Sequence, residues 1–173
     1  MLSAFRLLRR YCSGKQVLSL VFATALMSVQ CTTYHVMLGG VSHHFTREFR
    51  GKPYNEIHHT VGFGGRNEFA KGAVGWSAQY MKNSFNNDAF YLTGQLGFRN
   101  ITLGRFTNTT GFLMGVATGY ADRFGMRSES PIPLAGFAND MCLYDFCLYQ
   151  VLLPSYDGMS GLVFVGAKYD FRL

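Results

Sequence analysis

Residues 161–173 read GLVFVGAKYDFRL. One parity of this stretch carries Val163, Val165, Ala167, Tyr169, Phe171 and Leu173, and the other carries Leu162, Phe164, Gly166, Lys168, Asp170 and Arg172. Successive side chains of a β-strand point to opposite faces. The segment therefore makes one wholly apolar face and one that becomes charged towards its end. Such a strand suits a wall with lipid on one side and a polar lumen on the other.

The same alternation recurs upstream. Phe90, Leu92, Gly94, Leu96 and Phe98 interleave with Tyr91, Thr93, Gln95 and Gly97. In 73–80, the small or polar Ala73, Gly75, Ser77 and Gln79 interleave with Val74, Trp76, Ala78 and Tyr80. Small residues suit the crowded interior of a narrow barrel. Further strands are expected at 34–42, 57–66, 103–123, 132–138 and 143–153, which brings the total to eight. Turn chemistry falls between them at 50–53, 85–88, 128–133 and 154–158. The expected fold is all-β: an eight-stranded antiparallel up-and-down transmembrane barrel in a bacterial outer membrane. Closure is required because an open sheet edge in lipid would leave backbone groups unpaired. A soluble lipocalin-like barrel or a sandwich shares the two-residue period. The uncharged apolar parity and the aromatics at strand ends (Phe63, Trp76, Tyr80, Phe90, Phe98, Tyr120, Tyr169, Phe171) favour the membrane.

Composition agrees. Of 173 residues, 48% are hydrophobic and only 15% charged, where about 25% charge is usual for a soluble domain. The net charge of +6 is concentrated at one end: Arg6, Arg9, Arg10 and Lys15 precede the first acid, Glu48. Without those four, 12 basic and 10 acidic residues remain, with no basic stripe, so nucleic acid is not an expected partner.

Residues 1–30 read as a signal peptide and 31–173 as the barrel domain. The basic start precedes a 13-residue apolar run, 17–29, broken only by Ser19, Thr24 and Ser28. A spanning helix needs roughly 20 residues, whereas this length suits a signal core. Cys31 stands where a lipidated cysteine could, but Gln30 occupies a position that normally takes a small residue. Cys142 and Cys147 are five apart; within one continuous strand their Cα atoms would lie about 16 Å apart, and only a tight turn could pair them. They are expected to be packed thiols.

Five histidines, His35, His43, His44, His58 and His59, crowd one region. Neighbours such as His43 and His44 face opposite sides of a strand, so convergence on a metal is not expected. They are lumen or interface residues, or one serves as a general base. A hydroxyl becomes a useful nucleophile only beside a base. Ser42, Ser77 and Ser84 are candidates, and Ser84 adjoins the polar loop 83–87. By simple parity Ser84 shares the lipid face of Val74, Trp76 and Tyr80, unless the chain turns inward at the strand end. Glu56, in Tyr54-Asn55-Glu56, is placed to orient a histidine or to line the rim.

These pieces, in order, are a histidine, Tyr54-Asn55-Glu56, Gly62-Phe63-Gly64, Tyr80-Met81-Lys82-Asn83-Ser84-Phe85-Asn86, a Gly-rich stretch over 111–119, Ile132-Pro133-Leu134, Pro154-Ser155-Tyr156 and a final aromatic strand. From about His43 to Phe171 the chain resembles the lipid A palmitoyltransferase family. The resemblance implies an eight-stranded outer-membrane barrel that moves an acyl chain from phospholipid to lipid A. It implies a catalytic histidine at His44 or His43, a serine at Ser84, and Asn83 where the family has aspartate, with Tyr54, Glu56 and Tyr80 near the substrate. Asparagine carries no charge but can position a hydroxyl by hydrogen bonding. The family's short N-terminal amphipathic helix has no counterpart between the leader and the first strand. The partners implied are membrane lipids, the barrel is expected to be a monomer, and no cofactor or metal is expected. The alternative is a non-catalytic envelope, surface or exclusion barrel, of host or phage origin. Eight strands leave too narrow a lumen for a general porin.

Overall fold

The computed structural model describes residues 31–49, 51–120, 130–155 and 160–172. The expected signal peptide, 1–30, lies outside them. The described chain forms β1 (Thr33–His44), a two-residue pair β2 (Glu48–Phe49) and β3 (Lys52–Pro53), then β4 (Val61–Phe69), β5 (Gly72–Lys82), β6 (Asp88–Leu103), β7 (Phe106–Ala117), β8 (Ile132–Leu143), β9 (Phe146–Leu153) and β10 (Leu162–Phe171). Apart from β2 and β3, which pair with each other, the strands close into one antiparallel barrel in the order β1-β10-β9-β8-β7-β6-β5-β4, and β4 pairs back onto β1. Among the described residues no helix is long and apolar enough to cross a membrane.

The last strand keeps the alternation read from the sequence. On β10, Phe164, Gly166, Lys168 and Asp170 are buried inside, while Ala167 and Tyr169 are exposed. Outward-facing side chains include Val61, Phe90, Phe112, Met114, Phe137 and Leu148, all exposed. The two ends of the barrel differ. Turns 70–71, 104–105 and 144–145 have two residues each and lie at the end that holds both termini of the sheet. At the other end lie the described residues 45–49, 51–60, 83–87, 118–120, 130–131, 154–155 and 160–161.

Several boundaries depart from expectation. The strand expected over 103–123 is interrupted at Gly104 (φ 60°), where β6 turns into β7. The strand expected over 143–153 is interrupted at Tyr144 (φ 57°) and Asp145, so Leu143 ends β8 rather than starting β9. That hairpin corrects the reading of the cysteines as packed thiols. Cys142 and Cys147 face each other across the turn with Cα atoms 3.9 Å apart, and they form a disulfide. Of the strand expected over 57–66, Val61 onward is regular, and Ile57 makes only an isolated bridge to Val41.

The decisive irregularity is a bulge in β1. Pairing with β10 slips between Leu38 and Val41. Gly39 there has φ 61°, a left-handed conformation that costs other residues dearly. Gly40 leaves room for the Phe164 ring, which a Cβ at this position would clash with. Before the bulge the odd residues Thr33, His35 and Met37 point inward. After it the even residues Ser42 and His44 do, and His43 is exposed.

The lumen is divided, which corrects the expectation of a uniformly polar hollow. Near the termini it is charged: Lys168 Nζ meets Asp140 Oδ2 at 2.6 Å, and Arg66 meets Asp170 at 2.7 Å. Towards the loops it is apolar, packed by Met37, Met81, Leu113, Ala138, Tyr149, Val151 and Phe164. The inward parity of β9 and β10 simply carries large apolar side chains in this half.

Candidate functional site

At the loop end, segments 54–60 and 82–84 are stitched together and onto β1. The Ser42 amide donates to the Glu56 carbonyl (2.8 Å), the His58 amide to Gly40 (2.8 Å) and the Asn55 amide to Ser84 (2.8 Å). The Asn55 side chain also donates to the Asn83 carbonyl at 3.2 Å. Here the regular β1–β4 ladder has ended at Leu38 opposite Val61, so these bonds replace it. They satisfy backbone groups that would otherwise be buried unpaired.

This stitching brings four of the candidate residues together. Ser84 and His44 are both buried, and Ser84 Oγ lies 2.9 Å from His44 Nε2. Glu56 Oε1 lies 3.7 Å from His44 Nδ1 and accepts the His44 amide at 3.2 Å. His44 Nδ1 has no hydrogen-bond partner, and the carboxylate at 3.7 Å favours a proton there by charge alone; in that tautomer the Nε2 lone pair accepts from the Ser84 hydroxyl. Tyr54 stacks flat on the His44 ring, with centroids 3.9 Å apart and planes at 6°. Ser84 turns inward, as a strand-end residue can, because β5 ends at Lys82.

Two candidates sit differently. Asn83 is fully buried but does not point at the histidine. Its Oδ1 accepts the amides of Phe85 (2.9 Å) and Asn87 (3.0 Å), and its Nδ2 donates to the Gly119 carbonyl at 2.8 Å. It shapes the turn that presents Ser84. Tyr80 lies on the outer face, hydrogen-bonded to Asp88 and packed against Phe90 at 5.1 Å. It is not part of the His44–Ser84 cluster.

Sequence reading gave no part in the site to two participants. Asn55 holds Ser84 through backbone and side chain, as above. Tyr120 lies against the side chain and backbone of Ser84, and its hydroxyl meets that of Tyr91 at 2.6 Å. Burial holds the Tyr120 phenol above its ordinary value, so it remains a donor beside the nucleophile. His58, one of the histidines weighed as a general base, has its Nε2 2.8 Å from Ser42 Oγ. Its membership of the histidine cluster was the only signal.

Below Ser84 the apolar half of the lumen forms a cavity lined by Ser42, His58, Met81, Leu113, Val151 and Phe164, among others. A second hollow of about 250 Å³ runs from Ser84 and Tyr120 past Leu134 to Pro133 and Pro154. The β8–β9 ladder begins only at Phe137 opposite Leu152, so residues 132–136 project beyond it. Proline lacks the N–H that would extend the ladder, so β8–β9 backbone pairing stops short of Pro133 and Pro154. Among the described residues, the one cysteine–carboxylate cluster with metal-ligand spacing is Cys142, Cys147 and Asp170, and its sulfurs are committed to the disulfide.

No known family model matches the chain, and a search of curated proteins finds no match.

Proposed function

We propose that this barrel sits in a bacterial outer membrane and transfers an acyl chain from a phospholipid to a lipid A-like acceptor, with Ser84 as nucleophile, His44 as base and Glu56 orienting His44. The single observation that carries the reading is the 2.9 Å contact between buried Ser84 Oγ and His44 Nε2, with a carboxylate on the far side of the ring. That is the arrangement that activates a hydroxyl.

The membrane placement draws on the exposed apolar side chains of the outer parity and on the difference between the barrel's ends. Outer-membrane barrels have short periplasmic turns and longer outer loops. The site would then lie at the outer leaflet. A lipid enters beside Pro133 and Pro154, and its acyl chain lies along the hollow lined by Leu134, Leu153 and Leu162, with its end towards the apolar half of the lumen.

The chemistry balances without a cofactor. Ser84 Oγ attacks the ester carbonyl and its proton passes to His44 Nε2. The ester C–O bond breaks, and the leaving alcohol takes that proton. An acceptor hydroxyl then attacks the acyl-serine, again through His44, and Ser84 recovers its proton. Tyr120 O–H can donate to the oxyanion.

Purified barrel in mixed vesicles with isotope-labelled phospholipid and lipid A should yield acylated lipid A by mass spectrometry, and Ser84→Ala should abolish it. Unmodified lipid A throughout would reject the reading. A non-catalytic barrel is the second reading, favoured by the involvement of Asn83 in its turn rather than in catalysis. It would be excluded if Ser84→Ala removed the lipid change and left the barrel folded.

A further inference from the structure

The interior holds a second hydroxyl–imidazole pair that the proposed reaction does not use. Ser42 and His58 are both buried, with Ser42 Oγ 2.8 Å from His58 Nε2. The orientation of this pair is determined more firmly than that of the first. His58 Nδ1 lies 2.7 Å from the Lys82 carbonyl, which can only accept, so Nδ1 carries the proton. Nε2 is then the lone-pair nitrogen, and the Ser42 O–H donates to it. The His58 ring is also braced by Phe164 at 5.7 Å. Ser42, His58 and Ser84 line the same cavity.

A merely structural serine could satisfy itself on a backbone carbonyl. Here the hydroxyl is aimed at a base whose tautomer a second contact dictates, and both line an apolar cavity of about 60 Å³, room for the short end of an alkyl chain. We propose that Ser42 and His58 form a second nucleophile–base pair that accepts acyl groups from carboxylic esters held in the barrel interior. Ser42 Oγ forms a bond to the ester carbonyl carbon while its proton moves to His58 Nε2. The ester C–O bond breaks, and the departing alcohol takes the proton. Water reverses the sequence and releases the fatty acid. A backbone carbonyl supports imidazolium less well than a carboxylate, so this pair works more slowly than Ser84 with His44.

The inference shares with the proposed function the reading of the cavity as an acyl site, but not the role of Ser84. A long-chain alkyl fluorophosphonate separates the two. Serine oxygen displaces fluoride from phosphorus, and the proton leaves with the fluoride. Tryptic cleavage after Arg47 and Lys82 puts Ser42 and Ser84 on different peptides. The full chain, folded in detergent and checked by its mobility on unheated gels, is labelled as wild type and as Ser84→Ala, Ser84→Ala/Ser42→Ala and Ser84→Ala/His58→Gln.

The expected result is rapid labelling of Ser84, slower labelling of Ser42 that persists in Ser84→Ala, and its loss in both double variants. A folded Ser84→Ala barrel that takes no label, beside a wild type labelled at Ser84, would overturn this inference and leave the proposed function standing. Label at Ser42 alone would do the reverse. No label on either serine would overturn both.

Discussion

Ser84 and His44 are 40 residues apart in sequence, yet Ser84 Oγ and His44 Nε2 meet at 2.9 Å inside the barrel. Neither is held by its own strand alone: His44 is the last residue of β1, and Ser84 follows the end of β5. Ser84→Ala and His44→Ala are expected to lower acyl transfer about 10³-fold or more. Glu56→Gln should lose less, about 10- to 100-fold, since the carboxylate stands 3.7 Å from Nδ1 and is half exposed. Initial rates of lipid A acylation measure all three, and an Ser84→Ala barrel as active as wild type would refute the assignment.

Asn83 gives the sharpest contrast with the family resemblance, where aspartate would be expected to restore or raise activity. Its Nδ2 donates to the Gly119 carbonyl, and an aspartate would put a carboxylate against that oxygen. Asn83→Asp is therefore expected to lower activity and to destabilise the barrel by about 1–3 kcal/mol. Urea unfolding in micelles would measure the loss. A variant both more stable and more active would show that Asn83 acts in catalysis instead.

Gly39 determines which histidine is inside. The bulge sets one extra residue of β1 against β10; if it flattened with the residue count unchanged, strict alternation from His35 and Met37 would turn His43 inward, whereas deleting Gly39 would remove the extra residue itself and keep His44 inside. A single-residue deletion of Gly39 should therefore keep acyl transfer, whereas Gly39→Val, which disfavours the left-handed conformation and leaves the residue count unchanged, should lower it towards that of His44→Ala. Full activity in Gly39→Val, or a deletion variant as inactive as His44→Ala, would mean that the bulge does not set the face.

The relation between residues and fold follows from these cases. Alternation in 90–98 and 161–173 was legible because two different solvents, inside and outside, act on alternate side chains over many residues. Parity could not choose between His43 and His44, because one left-handed glycine reverses it without altering composition. The disulfide was hidden by the hairpin at Tyr144 and Asp145, which lacks glycine and proline. Asn83 was misplaced for another reason. Proximity to Ser84 in sequence suggests chemistry, but its amide is taken up by three backbone groups around the turn.

His58 supplies a pH dependence. Burial lowers its pKa from the ordinary 6.5, and this outweighs the opposing effects of the Lys82 carbonyl and the Glu56 carboxylate. Folded His58 stays neutral where the unfolded chain would take up a proton. Its contribution to stability is then complete above about pH 6.5 and declines as pH falls through the lowered value. Unfolding midpoints measured from pH 7.5 down to 5 should decrease, and His58→Gln should flatten the slope. An unchanged slope would contradict a neutral buried His58.

Lys168 and Asp140 test the charged half of the lumen. They join β10 to β8 across the interior at 2.6 Å, and both are almost wholly buried. The second oxygen of Asp140 has no hydrogen-bond partner, so the lysine is its principal compensation. Lys168→Met would leave a buried carboxylate without its counter-ion, at a cost of about 3–5 kcal/mol. Replacing both charges, as Lys168→Met/Asp140→Leu, removes the desolvated pair altogether and should recover most of that loss. Urea unfolding of the two variants decides the point. If the double variant is no more stable than Lys168→Met, the single variant's defect comes from lost packing of the lysine stem rather than from a stranded charge.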